Sequence, residues 1–290
     1  MTPLLLGALA VLFAGPAPWV LAHWPGLRRT PRAAMLLWQS VALAAVLAAV
    51  GAGLSLFTSH AWRETPGAVG ALIAGVALAV TFLVVGRLLL SGHRVGTTLR
   101  ALRRRHLAQL DLIAHTERGA RVVEHDVPVA YCVPGMRGVR VVVSAGALSR
   151  LGDDEVAAVL AHEHAHLRAR HDLVLEAFSV LHRAFPAWVA SRAALGEVQV
   201  LVEVLADRAA ARSAGSLPLA RALVAMASGR APQAALAVST ASSGALVDRV
   251  QLLKDREPRR AQTVGLLVAA AAVLALPTAF VVLPWLGSLT

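Results

Sequence analysis

The chain has 290 residues, of which 57% are hydrophobic and 16% are charged, and its formal net charge is +11. Soluble domains usually carry about 25% charged residues, so this composition favours membrane spans over one oversized soluble core. The high apolar content excludes intrinsic disorder, and the presence of a single cysteine, Cys132, excludes a disulfide scaffold.

Four stretches are long and apolar enough to cross a bilayer as helices, which takes about 20 residues. We predict three transmembrane helices in residues 1–90, at about 3–24, 34–57 and 67–90, and a fourth in residues 261–290. The first stretch lacks the positively charged start of a signal peptide and is longer than the apolar part of one. We therefore predict that it is a retained span.

The distribution of charge predicts the orientation of these spans. Residues 1–110 carry a net charge of +9, residues 111–253 are neutral, and residues 254–290 carry +2. Arginines cluster after the first and third spans, whereas the only charged residues in the loop between spans two and three are Arg63 and Glu64. Positive residues favour the cytoplasmic side, so we expect residues 91–260 in the cytoplasm and both termini outside. The predicted spans imply the lipid bilayer as a partner. Because residues 111–253, which form most of the cytoplasmic part, are neutral, we expect no direct nucleic-acid binding.

Residues 91–260 are predicted to form a cytoplasmic α+β domain with a small β-sheet. Short β-branched runs at 121–125, 129–133 and 139–143 predict strands, and Pro134 with the glycines that follow it predicts a hairpin between the last two. Gly152 and three acidic residues open a helix, because acids in the first turn suit the helix dipole. Residues 173–195 predict a helix that is packed in the domain or lies on the membrane surface. The predicted fold class is therefore a mainly α membrane protein with four transmembrane helices and this domain.

The helix that opens near residue 153 carries His162-Glu163-His164-Ala165-His166, an H-E-x-x-H sequence. Residues four apart on a helix lie about 40° apart in projection, so His162 and His166 can reach one metal ion. Glu163 lies one step round the helix, where it can polarise a water at the metal without being a ligand. His164 projects about 200° from His162 and is expected to face away. The alternative is a helix that happens to contain three histidines.

A second helix, predicted at 197–214, carries Glu203 and Asp207, which are also four residues apart. Its face is otherwise rich in Ala, Val and Leu, and two carboxylates on an apolar face are costly without a partner. A Zn²⁺ ion ligated by Glu203, with an imidazole N–H bonded to Asp207, would satisfy both. In the alternative, the two carboxylates pair with Arg208 or Arg212 at the surface.

Asp172 follows His166 by six residues, which is where metzincin-type sites place their third ligand. That arrangement needs a helix break at residue 169, and Ala169 is a helix former, so Glu203 is the better candidate. We expect His171 and Asp172 to cap or terminate the motif helix.

The H-E-x-x-H sequence followed by Glu203-x-x-x-Asp207 resembles the membrane gluzincin peptidases, in which the third ligand is a Glu on a following helix. The segments 130–135 (AYCVPG) and 141–148 (VVVSAGAL) are also similar to that group. Three spans before the catalytic domain resemble the BlaR/MecR-type antirepressor metallopeptidases, whereas HtpX-type quality-control proteases place two spans before it and two after. BlaR/MecR receptors carry a penicillin-binding sensor domain after the last span, and this sequence stops at Thr290, so we do not expect direct β-lactam acylation.

The resemblance implies a gluzincin-type metallopeptidase domain with one Zn²⁺. It implies metal ligands at His162, His166 and Glu203, with Asp207 behind a ligand, and Glu163 as the catalytic base that passes a proton from water to the leaving amine.

The resemblance also implies a substrate strand, on which a peptide pairs as an added strand. Its expected residues are Val129, Ala130, Tyr131 and Cys132, of which Cys132 is expected to pack as a small hydrophobe. Arg249 occupies a place where related proteases often have an arginine near the cleft, and a membrane-proximal salt bridge is the alternative.

Together these implications predict a zinc endopeptidase, embedded in a bacterial cytoplasmic membrane, that cleaves a cytoplasmic protein substrate. The expected substrate is a transcriptional repressor of the BlaI/MecI type, in signal transduction, or the protease itself. A separate sensor protein or self-association is an expected partner. The alternatives are an HtpX-like protease that degrades misfolded membrane proteins and a non-catalytic membrane signalling scaffold.

Overall fold

The structure, a computed structural model, describes residues 2–61, 67–117, 119–134, 140–186, 192–227, 243–255 and 259–287. The chain is mostly helical there, with one four-stranded sheet. The helices are α1 (Thr2–Ala14), α2 (Pro16–Ala22), α3 (Pro31–Ala61), α4 (Ala68–Ile113), α5 (Ala145–Leu148), α6 (Asp153–Arg168), α7 (His171–Ala184), α8 (Arg192–Ala214), α9 (Ser216–Ala225), α10 (Ser243–Lys254) and α11 (Arg260–Gly287). The strands are β1 (His115–Glu117), β2 (Ala120–Val123), β3 (Ala130–Val133) and β4 (Arg140–Ser144).

The chain divides into two compact units. The first unit comprises residues 1–93, 179–197 and 259–290, and the second comprises residues 94–178 and 198–258. The domain limits given by the sequence, at residues 90 and 260, stay a prediction. The loop residues Arg63 and Glu64 and the hairpin residues 135–138 lie outside the described residues.

Four helical stretches are long and apolar enough to cross a membrane, namely Thr2–Ala22, Pro31–Thr58, Ala68–Ile113 and Arg260–Val282. The first stretch is interrupted at Gly15, between α1 and α2, where Pro16 and Pro18 supply no backbone N–H to continue the helix. In the first unit, α3 packs against both α1 and α11. Length and composition therefore suggest a multi-pass membrane protein.

The sheet of the second unit has the strand order β1-β2-β4-β3, so that β3 lies at its edge. β2 pairs parallel with β4, whereas β1 and β3 pair antiparallel with their neighbours. One face of the sheet packs on the end of α4, where Leu110 contacts Tyr131, Val133 and Val142. The other face, which carries Cys132, packs on α6. The edge strand therefore lies beside the helix that carries the motif.

Ser144, at the end of β4, and Gly146, in α5, bond to the segment between β2 and β3. The Oγ of Ser144 accepts hydrogen bonds from the backbone N–H groups of Ala147, at 3.0 Å, and Val129, at 3.0 Å. The N–H of Gly146 donates to the carbonyl oxygen of His125 at 2.9 Å. A Cβ atom at position 146 would overlap the carbonyl oxygen of Asp126, so this close approach requires glycine.

Helix α6 begins after Gly152, whose N–H donates to the Glu155 carboxylate at 3.1 Å, and it ends at Arg168. Arg170 then adopts a φ of 51°, and among the residues that the structure describes it is the only non-glycine residue with positive φ. The prediction that His171 and Asp172 cap or terminate α6 is wrong. Both residues belong to the first turn of α7, which begins directly after the positive φ of Arg170.

The helices around the motif share a small apolar core. It is formed by one buried residue from each of α6, α8, α9 and α10, namely Ala158, Ala210, Leu219 and Leu253. Within this core, α6 and α10 both pack against α9. Through Ala158 and Ala210 the core also links the motif helix to the helix that carries Glu203.

Candidate metal centre

Three side chains from α6 and α8 bring their donor atoms together. The Nε2 atoms of His162 and His166 lie 3.1 Å apart, and each lies 3.5 Å from one carboxylate oxygen of Glu203. Ligands about 2.0–2.1 Å from a tetrahedral Zn²⁺ ion would be about 3.3 Å apart. The Oε1 atom of Glu203 is buried without a hydrogen-bond partner among the described residues, as expected for an atom that serves a metal. The donor set therefore fits Zn²⁺.

Asp207 lies behind the first ligand. Its Oδ1 atom is 3.0 Å from Nδ1 of His162, and its side chain is buried. Nδ1 of His162 has no partner with hydrogen-bond geometry among the described residues, so its contact with Asp207 is that of an ion pair. Burial alone would lower the pKa of His162, but the carboxylates of Asp207 and Glu203 outweigh it and raise this pKa to about 10.

Arg249 joins both carboxylates of α8. It donates from Nε and Nη2 to the two oxygens of Asp207, both at 2.7 Å, and its Nη1 lies 3.1 Å from Oε2 of Glu203. Although burial opposes it, Arg249 lowers the pKa of both carboxyl groups below the ordinary range. The alternative of surface pairing with Arg208 or Arg212 is wrong. Asp207 is buried against His162 and Arg249, and Glu203 lies beside the two motif histidines and Arg249. Of the two interpretations of Arg249, the structure places it at the ligands.

Glu163 is buried on α6 beside the Cys132 thiol of β3. Burial raises the pKa of its carboxyl group above the ordinary value. Burial, and then the charge of Glu163, also raise the pKa of the Cys132 thiol, which is fully buried as predicted. His164 is exposed, with Nδ1 2.7 Å from the carbonyl oxygen of Leu160, and therefore faces away as helix geometry predicts.

A model of peptidase family M48 matches residues 98–257, which is more than half of the chain and includes the donor set, Glu163 and Arg249. The chain belongs to peptidase family M48. No curated protein and no solved structure matched the chain. Family membership makes this protein a metallopeptidase, and M48 peptidases are typically zinc-dependent.

The four predicted substrate-strand residues of this M48 peptidase differ in whether their backbone N–H and C=O groups point away from β4. Both backbone polar groups of Val129 are already bonded to Ser144. Its carbonyl oxygen accepts from the Ser144 N–H at 2.9 Å, and its N–H donates to the side-chain Oγ of Ser144 at 3.0 Å. Because bonded and non-bonded pairs alternate in an antiparallel ladder, Ala130 and Cys132 direct their N–H and C=O groups away from β4. The Tyr131 side chain lies on the face of the sheet that packs on α4, opposite to the face that carries Cys132. Its hydroxyl lies 2.9 Å from Nε2 of His106, and burial raises the pKa of this hydroxyl to about 12.

One contact of the second ligand, His166, was not predicted from the sequence. Nδ1 of His171 lies 3.1 Å from Nδ1 of His166, and both rings are buried. Burial lowers the pKa of each ring to about 4, so both are neutral near pH 7. Asp172 lies outside the donor set, with contacts of 3.3 Å to Nε of Arg170 and 3.8 Å to Nη1 of Arg103. The positive φ of Arg170, which brings His171 back to His166, has no signal in the sequence.

Proposed function

We propose that this M48 peptidase is a zinc-dependent endopeptidase of a bacterial cytoplasmic membrane, and that it cleaves a cytoplasmic repressor of the BlaI/MecI type. The observation that carries the catalytic part is the donor set of His162, His166 and Glu203 beside the buried carboxyl group of Glu163. A single site thus combines the ligands and the base that metal-assisted peptide hydrolysis needs.

Glu163 is the proposed acid–base residue. When bound, Zn²⁺ supplies Lewis acidity to a water molecule and to the peptide carbonyl. Glu163 accepts the proton from the attacking water and delivers it to the leaving amine. Because burial raises its pKa, the Glu163 carboxylate takes a proton from water more readily than an exposed Glu carboxylate does.

The residues behind the ligands keep the donor set in place. Asp207 orients His162, because a carboxylate beside Nδ1 leaves Nε2 directed at the metal. Arg249 holds Asp207 through two hydrogen bonds and contacts Glu203 at 3.1 Å. The ligands are therefore fixed by charge partners on α8 and α10 as well as by packing.

The outer edge of β3 is the proposed site for the substrate backbone. Ala130 and Cys132 direct their N–H and C=O groups there, and an extended peptide can pair with them as an added strand. Because the Cys132 side chain contacts Glu163, a peptide on this edge would run close to the proposed base. This arrangement favours substrates that present an extended segment.

The apolar helices and the positive charges support the proposed location. Four candidate spans suggest a multi-pass membrane protein, and the arginines that follow the first and third spans favour a cytoplasmic catalytic part with both termini outside. A cytoplasmic site can reach a DNA-bound repressor. The activating signal would arrive through a separate sensor protein or self-association.

The proposed catalytic activity is tested on the full chain purified in detergent. The measurements are its zinc content and its rate of cleavage of an unfolded protein substrate. We expect Glu163→Gln to retain zinc while cleavage falls at least about 100-fold. His162→Ala and Glu203→Ala should lose zinc, whereas His164→Ala, on the exposed side of the same helix, should keep both properties. Full zinc occupancy in His162→Ala and Glu203→Ala, or undiminished cleavage by Glu163→Gln, would overturn the assignment.

The substrate edge is tested by Ala130→Pro. The proline removes an N–H group that points away from β4, so we expect weaker cleavage. Because an edge strand does not need this N–H group for its own pairing, zinc content should stay unchanged. Peptides with an N-methyl group at the paired position should be poor substrates of the wild type for the same reason. Equal cleavage of methylated and unmethylated peptides would contradict the proposed edge.

The substrate is tested by comparing the proteomes of cells that carry the wild type and Glu163→Gln. Loss of an intact repressor only in wild-type cells supports the proposal. Accumulation of misfolded membrane proteins in the variant would instead indicate an HtpX-like role, and identical proteomes would indicate a scaffold.

A further inference from the structure

Both histidines of the donor set have a second ring nitrogen with a buried neighbour. His162 presents Nδ1 to Asp207 at 3.0 Å, and His166 presents Nδ1 to Nδ1 of His171 at 3.1 Å. His166 and His171 are 2% and 5% exposed, so water does not compete for this contact. The second contact is 3.1 Å against 3.0 Å for the first, and it uses an imidazole ring in place of a carboxylate.

Two facing ring nitrogens attract each other only when one carries the hydrogen and the other does not. If His166 binds the metal through Nε2, its hydrogen must lie on Nδ1 and point at His171. Nδ1 of His171 then accepts it, with the hydrogen of His171 on its own Nε2. A histidine that binds a metal almost always donates its other N–H to such a neighbour, which fixes the orientation of the ring.

We propose that His171 is a positioning residue for the metal ligand His166, acting as the acceptor of its Nδ1–H. This inference rests on the proposed metal site. It assigns His171 a role in holding the ligand and none in contacting the substrate or the reacting atoms.

The backbone that delivers His171 supports this role. Arg170, between the end of α6 and the start of α7, has a φ of 51°, a conformation that costs energy for a residue with a side chain. The residue that follows it is the one whose ring contacts His166. Asp172, the next residue, is buried and contacts Nε of Arg170 at 3.3 Å and Nη1 of Arg103 at 3.8 Å. Two arginines thus anchor the turn that places His171 against His166.

The test compares His171→Asn with His171→Leu in the full-length protein. The side-chain oxygen of Asn can occupy the place of Nδ1 and accept the hydrogen, whereas Leu fills the space and accepts nothing. Matched controls are His164→Asn and His164→Leu, at an exposed position of α6 outside the donor set. The measurements are the Zn²⁺ dissociation constant, by competition with a chelator, and the visible absorption of the Co²⁺-substituted protein.

We expect His171→Leu to weaken Zn²⁺ binding about 10- to 100-fold and to alter the Co²⁺ spectrum. His171→Asn and both controls should stay close to the wild type. Wild-type affinity and spectrum in His171→Leu would overturn the inference, as would equal weakening in a folded His171→Asn. If the wild type binds no Zn²⁺, the proposed function fails and this inference fails with it, whereas tight binding by His171→Leu removes the inference alone.

Discussion

Arg249 donates two hydrogen bonds of 2.7 Å to Asp207, although the two residues lie 42 positions apart in the chain. The same guanidinium contacts Glu203, so one residue of α10 holds both carboxylates of α8. Bidentate pairing of this kind fixes orientation as well as charge. The shape of the donor set therefore depends on α10, which supplies none of the ligands.

Replacing Arg249 should destabilise the protein strongly. Arg249→Ala removes the guanidinium that pairs with the buried Asp207 carboxylate and leaves only His162 beside it, and breaking a buried pair costs about 3–5 kcal/mol. We expect a lower melting temperature for the detergent-solubilised protein and only partial recovery in Arg249→Lys, because an ammonium cannot make both bonds. Arg221→Ala, at an exposed position of α9, is the control. Equal melting temperatures for the two alanine variants would contradict the role of Arg249.

Zinc binding should release about one proton at pH 7. The pKa of His162 in the metal-free protein is raised to about 10, so its ring is charged and must lose a proton before it can bind a metal. His166, with a pKa of about 4, is already neutral and contributes none. Titration calorimetry in buffers of different ionisation enthalpy measures this proton. Asp207→Asn should reduce the release, and an unchanged value would show that Asp207 does not hold the charge.

The same pKa predicts how the stability of the metal-free protein depends on pH. Because the pKa of His162 is raised on folding, its charged form contributes stability that is fully present below about pH 6.5. That contribution is lost as the pH rises through about 10. Urea unfolding between pH 6 and pH 10 in the presence of a chelator should show the loss, and His162→Gln should show a smaller one. A steeper loss in the variant would contradict the assignment.

Cys132 should resist alkylation in the folded protein. The thiolate is the reactive form, and burial raises the pKa of this thiol while also blocking access. Because Cys132 is the only cysteine, mass spectrometry should find no maleimide adduct on the native protein and one adduct in denaturant. Ser149→Cys in a Cys132→Ala background places a thiol at an exposed position and should label quickly. Rapid labelling of native Cys132 would show that the edge strand opens.

Gly146→Ala should lower the free energy of unfolding by about 1–3 kcal/mol, because the added methyl group overlaps the carbonyl oxygen of Asp126. The matched control is Gly196→Ala in α8, where a Cβ atom meets nothing within 4 Å. That substitution should leave stability unchanged or raise it slightly. Denaturant unfolding of both variants measures the difference, and equal stability would mean that the loop between β2 and β3, which holds Asp126, shifts to admit the methyl group.

The proximity of the metal donors was predictable because the spacing of residues on a helix is regular. His162 and His166, like Glu203 and Asp207, are four apart, which places each pair on one helix face. The strand β1 was not predictable, since its three residues are polar and exposed and follow no alternating pattern. It exists because it pairs with β2.

Contacts between distant parts of the chain were beyond local patterns. The sequence suggests an arginine near the cleft, but only the packing of α9 and α10 aims Arg249 at Asp207. His171 reaches His166 because Arg170 adopts a conformation that is unusual for arginine. Helix-forming residues at 169 and 170 argue for a longer helix, and the tertiary contacts of Asp172 outweigh that preference.

The edge strand β3 is only four residues long, and two of these residues direct backbone groups outward. Main-chain groups are common to every peptide, so pairing with them would discriminate poorly between amino-acid sequences. It would discriminate well between conformations, because helical or folded segments have no free backbone groups to offer. A compact protein would therefore survive beside this enzyme, and cleavage would begin only where a substrate exposes an extended linker.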